Sequence, residues 1–531
     1  MIERVQTWMN TLWEGSGLQR HFSEETRCRP FLLEKGTSRT MVFFFIVLFL
    51  GAFFSVRWID TSVITSGSAS LKAIFTSSSD TPEESESEEL EFPFNCSVAN
   101  LSQICSTSFP ATFSRGDNSS STAARRTTAA TCPHYFRWIH EDLRPWKETG
   151  ITREMVERER KRANFRLVVV DGRLYYDKYS GAFQTRDVFT LWGIVQLMRR
   201  YPGKLPDLDI MFNCDDHPII RKSDYQGPNA TAPPALFHYC GDDMTLDIVF
   251  PDWSFWGWPE INIKPWVPLL KDLKQGNQRI KWVQRQRYAY WKGNPYVSPG
   301  RQDLLKCNHN KHQDWNARFY VQDWERASKQ GYKHSNLADQ CTHRYKVYIE
   351  GRAWSVSEKY ILACDSPTLL VTPHYYDFFT RSLLPIHHYW PIKDTDKCRS
   401  IKFAVDWGNK HKKQAQAIGK AGSKFIQEQI RMEFVYDYMF HLLSQYSKLL
   451  TYKPTIPPHA VELCSEVMAC PAAGLNKEFM MESMVKGPAN KTPCTLPPPF
   501  DPPALEAFLK HKENLTSQVE TWQKQFWEKI N

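Results

Sequence analysis

The sequence predicts an α/β fold with parallel strands, divided over more than one domain. The 531 residues are 42% hydrophobic, which is enough apolar material for two or more packed domains. Short apolar strand patterns alternate with amphipathic helix patterns from about residue 152 to residue 450. Such alternation is typical of α/β layers built on parallel sheets.

The charge balance argues against a nucleic-acid partner. The chain carries 67 Lys and Arg against 58 Asp and Glu, a net charge of +9. These residues are interspersed through most of the sequence, without the basic patch that phosphate backbones require. We therefore expect no nucleic-acid partner.

An apolar run near the N-terminus predicts a membrane anchor. Residues 41–56, MVFFFIVLFLGAFFSV, are uncharged, and a helix over these sixteen residues is about 24 Å long. Residues 57–59 extend it towards the bilayer thickness of about 30 Å, with Arg57 at the interface. A cleaved signal peptide is the alternative, but no A-x-A-like site directly closes the run. We predict a cytosolic tail over 1–40 and a transmembrane signal anchor over 41–59.

Charges, cysteines and glycosylation motifs favour a lumenal body. Basic residues precede the run and acidic residues follow it, as in a single-pass type II protein. Of the 13 cysteines only Cys28 precedes the anchor, and the other twelve can pair in an oxidising compartment. The chain ends WEKIN rather than in a K/H-D-E-L signal, so we expect the Golgi membrane, with the ER as the alternative. Six N-x-S/T motifs agree with this location: Asn95, Asn100, Asn118, Asn229, Asn490 and Asn514.

The segment 60–131 predicts a disordered lumenal stem. It is rich in Ser and Thr and contains the acidic run EESESEELE at 83–91. Such a composition cannot bury enough apolar surface to fold alone. Within this stem, Cys96 and Cys105 are expected to form a small local loop.

Order is expected to begin near Cys132. Residues 152–163, TREMVERERKRA, predict a charged helix, and residues 164–177 predict a hairpin with Asp171-Gly172 at its turn. An apolar stripe in RDVFTLWGIVQLMRRYP predicts a helix that ends before Pro202. LDIMFN at 208–213 predicts a short buried strand.

The second part of the chain repeats this alternation and ends in a tail. Residues 345–351 and 366–372 predict strands, with a helix at 355–363 between them. A long helical region, 413–450, closes the core. The tail beyond Pro454 is Pro-rich and is expected to wrap the surface, held by Cys464, Cys470 and Cys494.

Two groups of carboxylates compete for a chemical role. Asp207 and Asp209 form a D-x-D pattern, which can hold a divalent metal, and Asp394 and Asp396 form a second. Asp215-Asp216 instead directly follows the strand at 208–213, and ligands bind at the carboxyl ends of strands in α/β sheets. A carboxylate there suits a general base, and a simple loop carboxylate is the alternative.

Three further segments carry candidate binding groups. Ser355 to Glu358 has capping-box spacing, and a helix N-terminus there would suit a phosphate, with Arg352 and Lys359 nearby. By itself this pattern favours the alternative, an ordinary βαβ unit. A Gly/Pro-punctuated loop offers Lys292, Asn294, Ser298 and Arg301, which surface solvation also explains. Four tryptophans line either an acceptor groove or the core: Trp253, Trp256, Trp258 and Trp266.

These segments together resemble the CAP10-like glycosyltransferases, the Rumi-type protein O-glucosyltransferases, and among them the plant-type members. The resemblance covers about residues 138–452. Its motifs are NCDDHP (213–218), FPDWSFWGWPE (250–260), YWKGNPYVSPGR (290–301), EGRAWSVSEKYILACDS (350–366) and HYYDFFTRSLLPIHHYWPI (374–392).

The resemblance implies a GT-B-like pair of Rossmann-like domains. It assigns residues 132–285 to an N-terminal half on the acceptor side and residues 286–453 to a C-terminal half that holds the nucleotide-sugar. Residues 454–531 remain as a Cys-containing extension. It implies an inverting, metal-independent transfer of glucose or xylose from a UDP-sugar, with no cofactor. The acceptor is a Ser or Thr hydroxyl of a protein, or a glycan. The alternative is a catalytically inactive carbohydrate-binding or scaffold protein of the same fold.

The family motifs map residue by residue onto this chain. The Asp of N-x-x-D-x-P falls on Asp216 as general base, and the SPxR arginine falls on Arg301 as diphosphate ligand. Many relatives carry an Arg where this chain has Ser357, so Lys359 or Arg352 would have to substitute. The other implied donor-side residues are Lys292, Asn294, Ala353 and Ser355, and the implied substrate-side residues are Phe183, Thr185, Arg186 and Trp266.

Overall fold

Two β-sheets organise the part of the chain that the structure describes. The computed structural model describes residues 91–97, 105, 130–228 and 230–530. The predicted tail 1–40, the anchor 41–59, most of the stem and the motifs at Asn100, Asn118 and Asn229 lie outside these residues. Within the described residues, no helix combines the length and the apolar character that a membrane span requires.

The first sheet is mixed. Its strands are β1 (Phe165–Val170), β2 (Arg173–Lys178), β3 (Leu208–Phe212), β4 (Leu236–His238), β5 (Ile248–Val249) and β11 (Val461–Leu463), in the order β11-β2-β1-β3-β4-β5. The predicted hairpin is confirmed, with Asp171 and Gly172 both at positive φ in the turn between β1 and β2. β1 is antiparallel to β2 and β3, whereas β3, β4 and β5 are parallel.

The second sheet is entirely parallel. Its strands are β6 (Gln286–Gly293), β7 (Ala317–Val321), β8 (His343–Tyr348), β9 (Thr368–Val371) and β10 (Trp390–Ile392), in the order β10-β9-β8-β6-β7. Each sheet has its own cluster of buried side chains. The predicted α/β fold with parallel strands is therefore confirmed.

Thirteen α-helices of the described residues cover and connect the sheets. The predicted helix at 152–163 is much shorter than expected, because the chain turns after residue 157 to enter β1. The helices are α1 (Trp138–Asp142), α2 (Arg153–Glu157), α3 (Arg186–Arg200), α4 (Trp266–Arg279), α5 (Pro299–Leu305), α6 (Trp324–Lys329), α7 (Ser357–Leu362), α8 (Lys397–Lys410), α9 (Lys412–Gln429), α10 (Met432–Ser447), α11 (Ser465–Ala469), α12 (Gly474–Glu482) and α13 (Pro502–Glu528).

The C-terminal part of the chain returns to the first sheet. α10 packs against β3, where the Tyr446 hydroxyl donates to the Asp209 carbonyl at 2.9 Å. β11 then pairs with β2 at the sheet edge. The predicted division at 285/286 falls between β5 and β6, but the first sheet also takes elements from beyond residue 430.

Five disulfides fasten the described residues. Cys307–Cys398 and Cys341–Cys364 lie around the second sheet, and Cys132–Cys494 ties the start of the ordered body to the extension. The expected loop between Cys96 and Cys105 is wrong, since these residues pair with Cys470 and Cys464. The return of β11 to β2 brings the extension within reach of both cysteines. Of the described cysteines, Cys214 and Cys240 are unpaired and buried.

Candidate functional site

A cleft of about 570 Å³ is lined by residues from both sheets and their loops. One wall comes from the loops after β2, β3 and β5, and the other comes from β6, β8 and the loops that follow them. The cleft brings together nine of the site residues that the family resemblance implied: Phe183, Arg186, Asp216, Lys292, Asn294, Arg301, Arg352, Ser355 and Ser357.

Asp216 stands just beyond the carboxyl end of β3. The Asn213 side chain holds the intervening turn by accepting the Asp215 N–H at 2.7 Å. The Cys240 thiol donates to the Asp216 carbonyl at 3.2 Å, which helps to fix the backbone at Asp216. The Asp216 side chain remains 29% exposed, so its carboxylate is accessible from the cleft.

Arg186, the first residue of α3, positions the Asp216 carboxylate. Its Nη2 donates to Asp216 Oδ1 at 3.0 Å, and its Nη1 donates to the Cys214 carbonyl at 3.0 Å. The guanidinium lies 4.5 Å from the Trp253 ring centroid and 5.0 Å from that of Phe183. Because Arg186 is 6% exposed and held on several sides, it presents Asp216 in one orientation.

Arg301 lies on the opposite wall as a buried cation. Its guanidinium donates to the carbonyls of Glu350, Asn294 and Ile349 and to Ser355 Oγ, at 2.8 to 3.2 Å. No carboxylate of the described residues forms an ion pair with it. Burial lowers the pKa of Arg301 below its ordinary value. A buried cation that only carbonyls and a hydroxyl compensate favours an anionic ligand.

The loop before α7 differs from its predicted geometry. The capping box from Ser355 to Glu358 is not formed, because α7 begins at Ser357 and Val356 occupies the cap position without a side-chain bond. Ser355 Oγ instead accepts from Arg301 and lies 2.9 Å from Ser357 Oγ. The two hydroxyls thus form a polar pair beside the Arg301 guanidinium, and Arg352 is exposed at the same wall.

The charged groups of the cleft are divided between its walls. Asp215 and Asp216 lie on the wall of the first sheet, together with Arg186, which pairs with Asp216. The charged residues that line the wall of the second sheet, all within the described ranges, are basic: Lys292, Arg301, Lys346 and Arg352. The arrangement offers a proton acceptor on one side and an anion-binding surface on the other.

Four of the implied site residues lie outside the cleft lining. Lys359 is 3% exposed at its side chain and pairs with Asp252, Nζ to Oδ2 at 3.0 Å, so it is not available to a donor phosphate. Trp266 is a core residue, because its indole N–H donates to the Ile430 carbonyl at 2.7 Å. Thr185 donates to Glu260 Oε2 at 2.9 Å, and Ala353 is fully buried.

Several cleft residues were missed by sequence reasoning. Trp354 is buried, and in the sequence it lies between Ala353 and Ser355, which were both predicted. Its indole N–H has no hydrogen-bond partner among the described residues. Lys346 on β8 lies 4.2 Å from the ring centroid of Tyr290 on β6. Burial, aided by the charge of Arg285, lowers the pKa of Lys346 well below its ordinary value. A lysine inside the apolar strand YKVY was the available signal.

The D-x-D pairs have structural partners in this fold. Asp209 is buried and accepts two hydrogen bonds from Arg166. Asp207 accepts the Asp171 N–H at 2.9 Å, which stabilises the turn between β1 and β2. Asp394 pairs with Lys397 at 2.9 Å. These carboxylates therefore hold the fold together and do not line the cleft.

Comparison with known proteins decides the family. A model of glycosyl transferase family 90 matches residues 127–523. The chain belongs to this family. This result confirms the CAP10-like, Rumi-type resemblance, and it makes the chain a glycosyltransferase.

Curated relatives of this glycosyltransferase are about a quarter identical to it over the part of the chain that aligns. O-glucosyltransferase rumi of Drosophila pseudoobscura pseudoobscura is 27% identical over 339 residues, which cover 61% of this chain and 79% of that protein. Protein O-glucosyltransferase 1 of Homo sapiens is 26% identical over 345 residues, covering 62% and 83%. The O-glucosyltransferase rumi homolog of Aedes aegypti is 28% identical over 339 residues, covering 61% and 80%.

Proposed function

We propose that this chain is an inverting, UDP-sugar-dependent O-glycosyltransferase with a GT-B-like pair of domains. One observation supports the proposal above all. Asp216 lies on one wall of the cleft, and Arg301, a buried cation without a carboxylate partner among the described residues, lies on the other. The names of the relatives support transfer of glucose to a hydroxyl, and xylose is the second donor considered. The acceptor hydroxyl belongs to a protein Ser or Thr or to a glycan.

In the proposed reaction Asp216 is the general base. It accepts the proton of the acceptor hydroxyl while that oxygen attacks the anomeric carbon from the face opposite the nucleotide. The bond from the anomeric carbon to the diphosphate oxygen breaks, and UDP leaves with the bonding electrons. Attack from the opposite face inverts the anomeric configuration.

The positive wall stabilises the departing UDP. Arg301 is already oriented by four hydrogen bonds, so little reorganisation is needed when charge develops on the diphosphate. Lys292, whose pKa burial lowers, and the exposed Arg352 supply further positive charge at the same wall. With these groups in place the proposal requires no divalent metal.

The proposed location is the Golgi membrane, with the ER as the alternative. Residues 41–59 would anchor the chain, with its catalytic region in the lumen. The five disulfides of the described residues are what an oxidising compartment permits. The described glycosylation motifs at Asn95, Asn490 and Asn514 are all exposed.

Replacement of the proposed base tests the mechanism. Asp216→Asn keeps the shape of the side chain and its contact with Arg186, so UDP binding should persist while sugar transfer falls by about 100-fold or more. Asp215→Asn is the matched control, because it changes the neighbouring carboxylate of the same turn. UDP release from a panel of UDP-sugars, with excess chelator present, measures donor choice and metal dependence. NMR of the product reports its anomeric configuration.

Two results would contradict the proposal. Full activity in Asp216→Asn would show that Asp216 is not the general base. Activity that is lost on chelation and restored by a divalent ion would show that the reaction depends on a metal. If the unsubstituted chain, with Asp215 and Asp216 both present, binds sugars but transfers none, it is instead the inactive carbohydrate-binding protein.

A further inference from the structure

A second cavity of about 540 Å³ lies apart from the cleft. The described residues that line it do not overlap with those of the cleft. Its walls come from α1, from the loops around residues 222–247 and 370–389, and from α13 of the C-terminal extension. The proposed transfer reaction uses none of these walls.

Two largely buried ionisable side chains line this cavity. Glu358 of α7 is 6% exposed and is hydrogen-bonded to Tyr348, but it forms no ion pair with any described cation. Arg381 pairs with Asp142, Nη1 to Oδ1 at 2.6 Å, but its buried Nε has no hydrogen-bond partner among the described residues. Burial and the neighbouring carboxylates raise the pKa of Glu358 well above its ordinary value, so this carboxyl can both donate and accept a hydrogen bond.

The chemistry of the walls favours a neutral, hydroxyl-rich ligand. Acidic and basic side chains both line the cavity, so a strongly charged ligand of either sign would meet like charges there. Aromatic side chains lie among these polar groups. The Arg381 guanidinium lies over the rings of Trp138 and Tyr376, whereas it does not cover the rings of Tyr375 and Tyr389. Apolar ring faces beside carboxyl and guanidinium groups match the two sides of a sugar ring.

The cavity adjoins the proposed catalytic base. His217 follows Asp216 in the chain, and its ring centroid lies 5.9 Å from that of Tyr375 at the cavity wall. His217 is exposed, so this contact lies at the surface. On α7, Ser357 lines the cleft and the next residue, Glu358, lines the cavity. An acceptor of several sugar units with one hydroxyl at Asp216 would therefore have to pass His217 to reach the cavity.

We propose that the second cavity is an acceptor subsite that binds a neutral sugar unit, so the acceptor is an oligosaccharide rather than a single residue of a polypeptide. This inference rests on the proposed function, because it takes the end of the acceptor to lie at Asp216. The subsite holds a sugar unit one or more positions away from the reacting hydroxyl. It thereby favours acceptors of several units over monosaccharides.

A cavity-filling substitution tests the subsite without touching the cleft. Leu509 of α13 lines the cavity and is 48% exposed, so Leu509→Trp places an indole at the cavity without disturbing the core. Lys510→Trp adds the same side chain to the next, exposed position, which does not line the cavity. Tyr375→Leu is the second variant and removes the ring nearest to His217.

The measurement is calorimetric binding of gluco- and xylo-oligosaccharides of one to about six units to the full-length chain in detergent. We expect affinity to rise with length, to fall about tenfold or more in Leu509→Trp and Tyr375→Leu, and to stay unchanged in Lys510→Trp. UDP affinity, measured in parallel, should be the same in all four proteins.

The possible results separate the two proposals. Equal oligosaccharide affinity in Leu509→Trp and the parent chain overturns the subsite, as does binding of a Ser-containing peptide with no oligosaccharide binding. If the parent chain itself does not bind UDP or does not transfer sugar, the proposed function is wrong. Length-dependent oligosaccharide binding that Leu509→Trp weakens would still support the cavity as a sugar site.

Discussion

The buried ion pair between Lys359 and Asp252 gives the sharpest test of how the donor-side helix is held. The pair joins α7 to the turn after β5, and both side chains are nearly inaccessible, 3% and 4% exposed. Lys359 also donates to Ser254 Oγ at 2.7 Å. The sequence offered Lys359 as a substitute for the arginine that many relatives carry at the position of Ser357, whereas these contacts indicate a structural role.

Lys359→Met should destabilise the fold strongly. The substitution leaves the Asp252 carboxylate buried without its cation, which typically costs about 3–5 kcal/mol. Asp252→Asn in the same chain removes the stranded charge, so the double variant should recover most of that loss. Lys420→Met is the control, because Lys420 is an exposed lysine on α9.

Guanidinium unfolding and UDP calorimetry on Lys359→Met, Asp252→Asn, the double variant and Lys420→Met measure the two roles separately. We expect a large, non-additive stability change between Lys359→Met and Asp252→Asn. We also expect UDP affinity to be unchanged in whatever fraction of Lys359→Met remains folded. The reasoning is refuted if Lys359→Met is as stable as the parent chain and loses UDP binding, since Lys359 would then be a donor ligand.

Three further perturbations have defined outcomes. Arg301→Lys loses the forked contacts of the guanidinium, so UDP should bind about 10- to 100-fold more weakly by calorimetry. Burial lowers the pKa of His238 to about 3, so stability is fully present above the unfolded value near 6.5 and declines as pH falls towards 3, by up to about 1.4 kcal/mol per pH unit. In His238→Gln this decline in the denaturation midpoint should be shallower. Gly193→Ala puts a methyl group 2.5 Å from the buried Trp256 ring and should cost about 1–3 kcal/mol in thermal unfolding, whereas Gly181→Ala meets no atom within 4 Å and should be neutral.

Local patterns made much of the fold predictable. The hairpin, α3, β3, β8 and β9 each follow from hydrophobic periodicity and turn residues within a few positions of one another. The attachment of β11 to β2 could not be predicted in this way, because the two strands are almost 300 residues apart in the chain. The same return of the chain explains why Cys96 and Cys105 do not pair with each other.

In the candidate site, too, residues within local patterns could be predicted, whereas those set by long-range contacts could not. Asp216 was found because it directly follows a strand and fits a family motif, and Arg301 because it completes another motif. The buried position of Lys359 could not be predicted, because its partner Asp252 lies 107 positions upstream and no local pattern reveals that contact. The core position of Trp266 could not be predicted either, because the carbonyl that accepts its indole N–H belongs to Ile430.

The long-range disulfides set a timetable for biosynthesis. Cys96, Cys105 and Cys132 leave the ribosome 359 to 374 residues ahead of their partners. At about 5–20 residues per second, each thiol waits roughly 20–75 s. Meanwhile the nascent chain offers closer cysteines for non-native pairing. Oxidative maturation of this protein therefore finishes only after residue 494 has been translated, and it depends on thiol exchange to correct early mistakes.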